Sequence, residues 1–236
     1  ARGEIVAFTD ADCLAQPDWL VELTRPFADP QVAGVRGKVA SDAPVTLVEQ
    51  FTHQADPLGV EALGGLLSMI TANVAYRRRI LEQVGGFRSE MFTGADVDLG
   101  WRVQQLPGAR VVYAETAVVN HKHRTTLSGL RRQYQRYGFS EVMLDALYRG
   151  QPFYRRSPRR QVVTMARQTA ALFRYLLSFV YRATRSLLTG WDRQYVLWPL
   201  LWLAADGSNL LGKIQALIQT RFFTRHPARG GQEVLQ

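Results

Sequence analysis

The sequence predicts an α/β domain followed by a helical region. As far as about residue 127, short apolar runs rich in β-forming residues alternate with segments of helical periodicity, which is the pattern of a layered α/β architecture. From residue 128 onward the apolar residues follow only a helical period. The chain has 236 residues, 47% of them hydrophobic, so it can bury a sizeable core, and the disordered and fibrous classes are excluded. We therefore expect two regions, 1–127 and 128–236.

The first region is predicted to alternate strands with helices. Pro17 suits the first turn of a helix, and the pair Gly85 and Gly86 suits a helix end. The expected elements are a strand at 4–9, a helix at 16–27, a strand at 32–40, a helix at 44–64, a strand within 66–78, a short helix ending at Gly85, a helix closing at Pro107 and Gly108, and two strand-like runs within 109–123.

The second region is predicted to be helical throughout. A helix at 131–150 is expected to be interrupted at Gly138, and a basic linker at 151–160 leads into a long helix at 160–188. The apolar core of 195–218 is about eleven residues long, against roughly 20 needed to span a bilayer. On the long helix, arginines and apolar residues take opposite sides; the members are Arg160, Arg167, Arg174 and Arg185 against Met165, Leu172, Leu176, Ala183 and Leu187. Such a helix either lies on an anionic lipid surface or packs on the preceding domain.

The chain is strongly basic, with a formal net charge of +9. Arginine supplies almost all of the positive charge, because lysine occurs only at Lys38, Lys122 and Lys213. This surplus favours an anionic partner, which could be a phosphate-bearing substrate, lipid headgroups or nucleic acid. Cys13 is the only cysteine, which excludes a disulfide framework and a thiolate metal cluster, so a cytoplasmic location is expected.

Two aspartates, Asp10 and Asp12, follow the first predicted strand. Since residues i and i+2 of a strand point to the same side, the two carboxylates could converge at the carboxyl end of the strand, where open α/β sheets bind ligands. Oxygen ligands of this kind suit Mg²⁺ or Mn²⁺. The alternative is that either residue caps the following helix or forms an Asx-turn.

Two further pairs of polar residues could contribute chemistry. Asp96 and Asp98 stand at a predicted helix start, where a carboxylate is either a general base or a favourable partner of the helix dipole. His121 and His123 are expected on one strand face, as metal ligands or as structural histidines.

Four segments in order carry a resemblance to a known family. They are "GEIVAFTDADCLAQPDWL", "TANVAYRRRILEQVGGF", "GADVDLGWR" and "AVVNHKHRTTLSGLRRQYQRYG", and together they resemble the second half of an inverting family-2 glycosyltransferase. The resemblance covers residues 3 to about 138. It implies a GT-A-like mixed sheet with flanking helices, of which the nucleotide-binding first part would precede Ala1, so that 1–127 is expected to be the C-terminal part of the catalytic domain.

The resemblance also implies a role for each matching residue on the donor side. Asp10 would lie near the ribose of the nucleotide, and Asp12 would bind a divalent cation, Mg²⁺ or Mn²⁺. His121 would complete the metal site, with His123 as the alternative ligand. Arg124 would meet the diphosphate, together with Arg131 and Arg132 further along; each of these arginines could equally be a solvated residue of a helix face.

On the acceptor side, the family's acidic motif aligns with Ala95 and Asp96, which implies that Asp96 is the general base for the acceptor hydroxyl. Ala95 departs from the family pattern, in which glutamate is usual, so the acceptor environment is expected to differ. Asp98 matches a second acidic position that supports this side of the site. Gly85, Gly86 and Phe87 resemble the family's acceptor-side loop.

The expected function is the metal-dependent transfer of a sugar, with inversion, from a nucleotide-diphosphate sugar to an acceptor hydroxyl. The expected acceptor is a glycan or a lipid-linked molecule of cell-envelope polysaccharide or glycolipid synthesis, and an anionic membrane surface at the inner face of the cell membrane is a further expected partner. The alternative is a basic module that binds a membrane surface or nucleic acid without catalysis of its own; the acidic pairs and the lack of a nucleic-acid motif speak against nucleic acid.

Overall fold

The computed structural model describes residues 1–55, 58, 62–63, 66–154, 158–190 and 192–223. The chain divides into two compact units, Ala1–Gly129 and Leu130–Gln236. Residues 155–157 of the predicted basic linker and residues 224–236 of the predicted helical region lie outside the described residues.

The first unit is built around a mixed sheet in the order β1-β6-β3-β7-β2. The β3–β7 pair is parallel, whereas the β1–β6, β6–β3 and β7–β2 pairs are antiparallel. A mixed sheet with flanking helices was expected and is confirmed. The elements are β1 (Ile5–Thr9), β2 (Cys13–Ala15), α1 (Trp19–Thr24), a 3₁₀ helix (Arg25–Ala28), β3 (Val32–Ser41), α2 (Leu47–Ala55), β4 (Ala62–Leu63), β5 (Leu66–Leu67), β6 (Asn73–Arg77), α3 (Arg78–Gln83), α4 (Ala95–Gln104) and β7 (Arg110–His121).

This strand order brings several chain segments to one edge of the sheet. Strands β1, β3 and β7 run in the same direction, so they end together at Thr9, Ser41 and His121, beside the starts of β2 and β6. We call this the carboxyl edge. Open α/β sheets bind ligands at such edges, because loops of varied sequence can converge there on a rigid support.

The central strand β3 is buried on both faces from Val32 to Gly37. On one face it packs in a cluster with Leu23 and Phe27, and on the other face Ala33 packs in a cluster with residues that include Met69, Leu99 and Tyr76. Burial on both faces explains why this part of the strand consists of small and apolar residues apart from Arg36, whose buried guanidinium donates to the carbonyls of Ser68 and Leu58. Each large apolar side chain buried in this way contributes about 1.5–3 kcal/mol to folding.

Asn73 joins three strands at the carboxyl edge. Its fully buried amide nitrogen donates to the carbonyls of Lys38 and Ala117, both at 2.8 Å, and its oxygen accepts a hydrogen bond from the indole of Trp19 at 2.8 Å. Here the β3–β7 register shifts, because Gly37 pairs with Ala114 but Lys38 pairs with Val118. The side chain of Asn73 thus satisfies backbone groups that the bulge leaves without a ladder partner.

Three sequence expectations about these elements are wrong. The helix expected at 44–64 ends at Ala55, and the short pair β4 and β5 follows; residues 56–57, 59–61 and 64 lie outside the described part. The two strand-like runs within 109–123 form one strand, because the bulge opposite Asn73 absorbs the residues between them. That strand ends at His121, so His121 and His123 do not share a strand face.

The second unit contains α5 (Leu127–Tyr148) from Leu130 onward, α6 (Pro158–Thr189) and α7 (Arg193–Phe223). The interruption expected at Gly138 does not occur, since α5 continues through it. A Cβ at Gly138 would lie 1.9 Å from the carbonyl oxygen of Asn209, and one at Gly212 would lie 1.9 Å from that of Gln135. The two glycines are therefore required by a close crossing of α5 and α7.

Polar residues of α7 interrupt its apolar sequence because they form a network within this unit. Lys213 is buried and pairs with Glu141 at 2.9 Å and with Gln168 at 3.2 Å, while Asp206 accepts a hydrogen bond from Tyr175 at 2.9 Å. Among the described residues, no helix is both long enough and apolar enough to cross a membrane.

Candidate active site

The aspartate pair lies in a tight turn between β1 and β2. The amide of Cys13 donates to the carbonyl of Asp10 at 3.0 Å, which closes the turn. The expectation that strand alternation aligns the two side chains is therefore wrong, because the strand ends at Thr9. The capping alternative is not supported either, since the N-cap position of α1 is Asp18.

Asp12 lies against His121 because β2 pairs with the end of β7. Cys13 is opposite His121 in this register, and the amide of Lys122 donates to the carbonyl of Asp12 at 3.0 Å. One carboxylate oxygen of Asp12 is 3.6 Å from Nε2 of His121, and the other is 3.2 Å from a guanidinium nitrogen of Arg124. Three of the predicted donor-side residues thus meet at the carboxyl edge.

The environment of His121 favours its neutral form. The side chain is 5% exposed, and burial lowers the pKa of the imidazole; the charges of Asp12 and Asp10 oppose this shift, and Arg124 reinforces it. Its Nδ1 is buried and has no hydrogen-bond partner among the described residues. A neutral imidazole is the form that binds metal ions.

The residues around Asp12 fit a divalent cation that takes only part of its ligands from protein. One carboxylate and one neutral imidazole are suitable donors for Mn²⁺, and Mg²⁺ also commonly uses one or two carboxylates, completing its shell with water and substrate phosphates. In the described part of the chain, no three side chains of the His, Cys, Asp or Glu types converge closely enough to hold a metal by themselves. Phosphate oxygens and water would therefore have to complete the shell.

Asp96 is held at the start of α4 by backbone amides. Its carboxylate accepts hydrogen bonds from the amide of Val97 at 2.9 Å and from that of Thr71, next to the start of β6, at 3.3 Å. Burial raises the pKa of Asp96, and the charge of Asp10 adds to the increase, whereas the backbone hydrogen bonds oppose it. A raised pKa makes the carboxylate a stronger base near neutral pH. Gly94, the N-cap residue of α4, has φ of 74° and turns the chain into this helix.

Asp98 is fully buried and does not reach the surface of the site. Its carboxylate pairs with Arg102 at 2.7 Å and with Arg88 at 3.1 Å. Arg102 also donates to the carbonyls of Val84 at 2.6 Å and Gly86 at 2.7 Å. The pair of Asp98 and Arg102 therefore fastens the loop that contains Gly85 and Gly86 to α4. Sequence reasoning overlooked Arg102, although its spacing of four residues from Asp98 on one helix face was a usable signal.

The loop of Gly85, Gly86 and Phe87, which was predicted to lie on the acceptor side, needs its glycines for conformational reasons. Gly85 and Gly86 have φ of 76° and 66°, and a Cβ at either would meet nothing within 4 Å. Their left-handed backbone, rather than crowding, excludes other residues. The next residue, Phe87, packs edge-on against Phe8, with 5.5 Å between ring centroids. Because Phe8 is two residues before Asp10, this contact ties the loop to the carboxyl edge.

A row of histidines continues from the donor-side residues. The ring of His123 is 5.6 Å from that of His121 and 6.2 Å from that of His53 on α2, and Nδ1 of His53 is 2.6 Å from the hydroxyl of Ser41. His123, the alternative metal ligand, thus stands between His121 and His53. His53 had no recognisable signal, because it comes from the weakly patterned segment whose helix was predicted too long. Arg131 and Arg132 belong to the second unit.

Comparison with known proteins identifies the class and then the family. A sheet edge that brings a carboxylate, an imidazole and a guanidinium together near a half-buried carboxylate is typical of enzymes acting on phosphate-bearing ligands. The model of one family, described as glycosyltransferase like family 2, matches residues 1–140. The chain belongs to this family.

Individual relatives are similar over the same part of the chain. The pre-mycofactocin glycosyltransferase of Mycobacterium tuberculosis is 35% identical over 150 residues, which are 60% of this chain and 32% of the relative. The glucosyl-dolichyl phosphate glucuronosyltransferase of Haloferax volcanii is 28% identical over 166 residues, 62% of this chain and 52% of the relative. The chain thus spans about a third to a half of these relatives.

One solved structure is similar over most of the chain. It is the mannosyltransferase PcManGT of Pyrobaculum calidifontis in complex with GDP-Man and Mn²⁺, with a TM-score of 0.46 and 20% identity, covering 93% of this chain and 64% of that one.

Proposed function

We propose that this chain is the part of a metal-dependent, inverting sugar transferase that holds the donor diphosphate and activates the acceptor. The observation that carries the proposal is the meeting of Asp12, His121 and Arg124 at the carboxyl edge, where the half-buried carboxylate of Asp96 also accepts a hydrogen bond from the backbone next to β6. Membership of the glycosyltransferase family supports it. The proposed donor is a nucleotide-diphosphate sugar.

On the donor side, Asp12 and His121 would hold Mg²⁺ or Mn²⁺, and Asp10 would contact the nucleotide ribose. The ion would supply positive charge beside the diphosphate, which carries the developing negative charge as it leaves. Arg124 has a side chain 46% exposed, so it can turn from Asp12 toward the diphosphate oxygens. An arginine fork suits this task because it can donate two parallel hydrogen bonds to phosphate.

On the acceptor side, Asp96 would act as the general base. Its carboxylate takes the proton of the acceptor hydroxyl as the acceptor oxygen bonds to the anomeric carbon of the sugar. The bond between that carbon and the diphosphate oxygen breaks, and the nucleoside diphosphate leaves with the electron pair. Attack opposite to the leaving group inverts the anomeric centre. The loop of Gly85, Gly86 and Phe87, held by Asp98 through Arg102, would shape the acceptor side.

The proposed acceptor is a glycan or a lipid-linked molecule, and the proposed location is the cytoplasmic side of the cell membrane. Support comes from the Haloferax volcanii relative, whose name describes a dolichyl phosphate-linked sugar. The net charge of +9 also favours an acidic surface or a phosphate-bearing acceptor.

Two variants of the full-length protein test the assignment. In Asp12→Ala, metal-dependent donor hydrolysis and transfer should both be lost, because the cation loses its carboxylate ligand. In Asp96→Asn, donor binding measured by calorimetry should be retained, while transfer should fall by roughly 10²–10⁴-fold for loss of the base.

Glu82→Gln provides the matched control, since it neutralises an exposed carboxylate of α3. It should leave both donor binding and transfer unchanged. Retained transfer in Asp96→Asn would refute the base assignment, and metal-dependent hydrolysis that survives in Asp12→Ala would refute the metal assignment.

A further inference from the structure

One face of α6 exposes a row of large apolar side chains that is densest between Phe173 and Leu188. Leu177 is 69% exposed, Phe173 67% and Leu188 88%, although residues of these types are usually buried. At 100° per residue the row occupies an arc of about 140°. We call it the α6 outer face, and its members are Val162, Phe173, Leu176, Leu177, Val180, Tyr181, Leu187 and Leu188.

The opposite face of α6 is the one that packs within the second unit. Ala171 and Ser186 are buried there, and the ring of Tyr175 stacks on Trp202 with 6.2 Å between centroids. Arg182 donates to the carbonyl of Tyr195 at 3.0 Å. The internal packing of α6 therefore uses a face other than the row of exposed apolar residues. Of the apolar residues expected to share one side, Leu176 and Leu187 are exposed, whereas Met165, Leu172 and Ala183 are half-buried.

Arginines border the outer face, and α6 contains no acidic residue. By helical geometry Arg167, Arg174 and Arg185 fall within about 20° of one another, directly beside the apolar arc. All three are exposed. A helix of 32 residues with this arrangement combines a surface that avoids water with a row of charges that attracts anions.

We propose that the α6 outer face lies in the plane of an anionic membrane surface. Apolar side chains would enter the boundary between headgroups and acyl chains, while the bordering arginines contact lipid phosphates, as in interfacial amphipathic helices. Lipid fits both features, since the acyl chains match the apolar row and the headgroups match the arginines. A nucleic acid would match only the arginines, and a second copy of this face would bring like charges together.

The biological purpose of this docking, which is to keep a transferase close to a lipid-linked acceptor, rests on the proposed function. The docking itself depends on α6 alone.

Sedimentation of the full chain with vesicles tests the proposal. At low salt, the chain should bind vesicles that contain about a third of anionic phosphatidylglycerol, and it should bind vesicles of phosphatidylcholine alone much more weakly. Phe173→Ser and Leu177→Ser should each weaken binding by roughly tenfold, since each removes an exposed side chain that would enter the lipid. Val45→Ser is the matched control, because Val45 is 85% exposed in the first unit, and it should have no effect.

The charged border is tested by a second pair of variants. The double variant Arg167→Gln with Arg174→Gln should bind vesicles more weakly by roughly fivefold for each arginine. This difference from the unaltered chain should vanish at high salt, because salt screens the attraction between arginines and lipid phosphates. The control, Arg2→Gln with Arg79→Gln, removes the same charge from exposed arginines of the first unit and should bind as the unaltered chain does.

Three results would overturn the proposal. The first is no binding to anionic vesicles at low salt. The second is tighter binding to an RNA or DNA oligonucleotide than to vesicles, lost in the arginine variants but retained in Leu177→Ser. The third is a chain that does not bind vesicles and forms a dimer in solution, which Leu177→Ser converts to a monomer. Transfer to a soluble acceptor without vesicle binding would refute this inference alone, and vesicle binding without transfer would refute the proposed function alone.

Discussion

Removing the guanidinium of Arg102 should strongly lower the free energy of unfolding of the first unit. Arg102 makes a salt bridge with the fully buried carboxylate of Asp98 and donates to the carbonyls of Val84 and Gly86. In Arg102→Gln, the carboxylate would lose this partner, and the second arginine beside it, Arg88, has a side chain that is 45% exposed.

The magnitude follows from the burial of Asp98. Breaking a buried ion pair by removal of one partner costs about 3–5 kcal/mol, because the remaining charge stays away from water. The carbonyls of Val84 and Gly86 belong to half-buried residues, so water can replace their lost donor and they add little. We therefore expect the free energy of unfolding to fall by about 4 kcal/mol.

Urea denaturation followed by tryptophan fluorescence measures this loss, with Arg88→Gln as the control. Arg88 makes one contact to the same carboxylate from a half-exposed position, so its removal should cost about 1 kcal/mol or less. Adding Asp98→Asn to Arg102→Gln should recover part of the loss, because the unpaired charge is removed. The reasoning is refuted if Arg102→Gln costs no more than Arg88→Gln.

Two further predictions concern catalysis and packing. Only the ionised form of Asp96 can accept a proton, and burial raises the pKa of this carboxyl group. The transfer rate should therefore fall as the pH is lowered through a value above the ordinary pKa range of aspartate. A pH–rate profile without this acidic limb would contradict the role of Asp96 as the base. Gly138→Ala should lower the free energy of unfolding by about 1–3 kcal/mol, because its methyl group meets the backbone of α7, whereas Gly207→Ala is a control on α7, where the added Cβ would lie 4.0 Å from its nearest neighbour, a methyl carbon of Leu172. Equal effects of the two substitutions in thermal unfolding would contradict the close crossing of α5 and α7.

Local patterns predicted the elements whose ends are marked by backbone chemistry. Strand β3 was predicted at 32–40 despite its glycines, and α3 ends where Gly85 and Gly86 take the left-handed conformation that a helix end requires. The end of α2 carries no such mark, so the helix was predicted to continue to residue 64. Gly138 shows the reverse error, because a glycine that relieves a contact between helices has the same sequence signal as one that ends a helix.

Sequence alone determined the α/β character of the first unit, the helical character of the second, and the residue types at the candidate site, because periodicity and side-chain chemistry are local properties. Only the tertiary structure decided how those residues meet. Asp12 reaches His121 because β2 pairs with β7, and Asp98 serves the loop at Gly86 because Arg102 bridges them. Which face of α6 stays exposed was likewise decided by its packing on α7, since a helical period divides a helix into faces without saying which face another helix will cover.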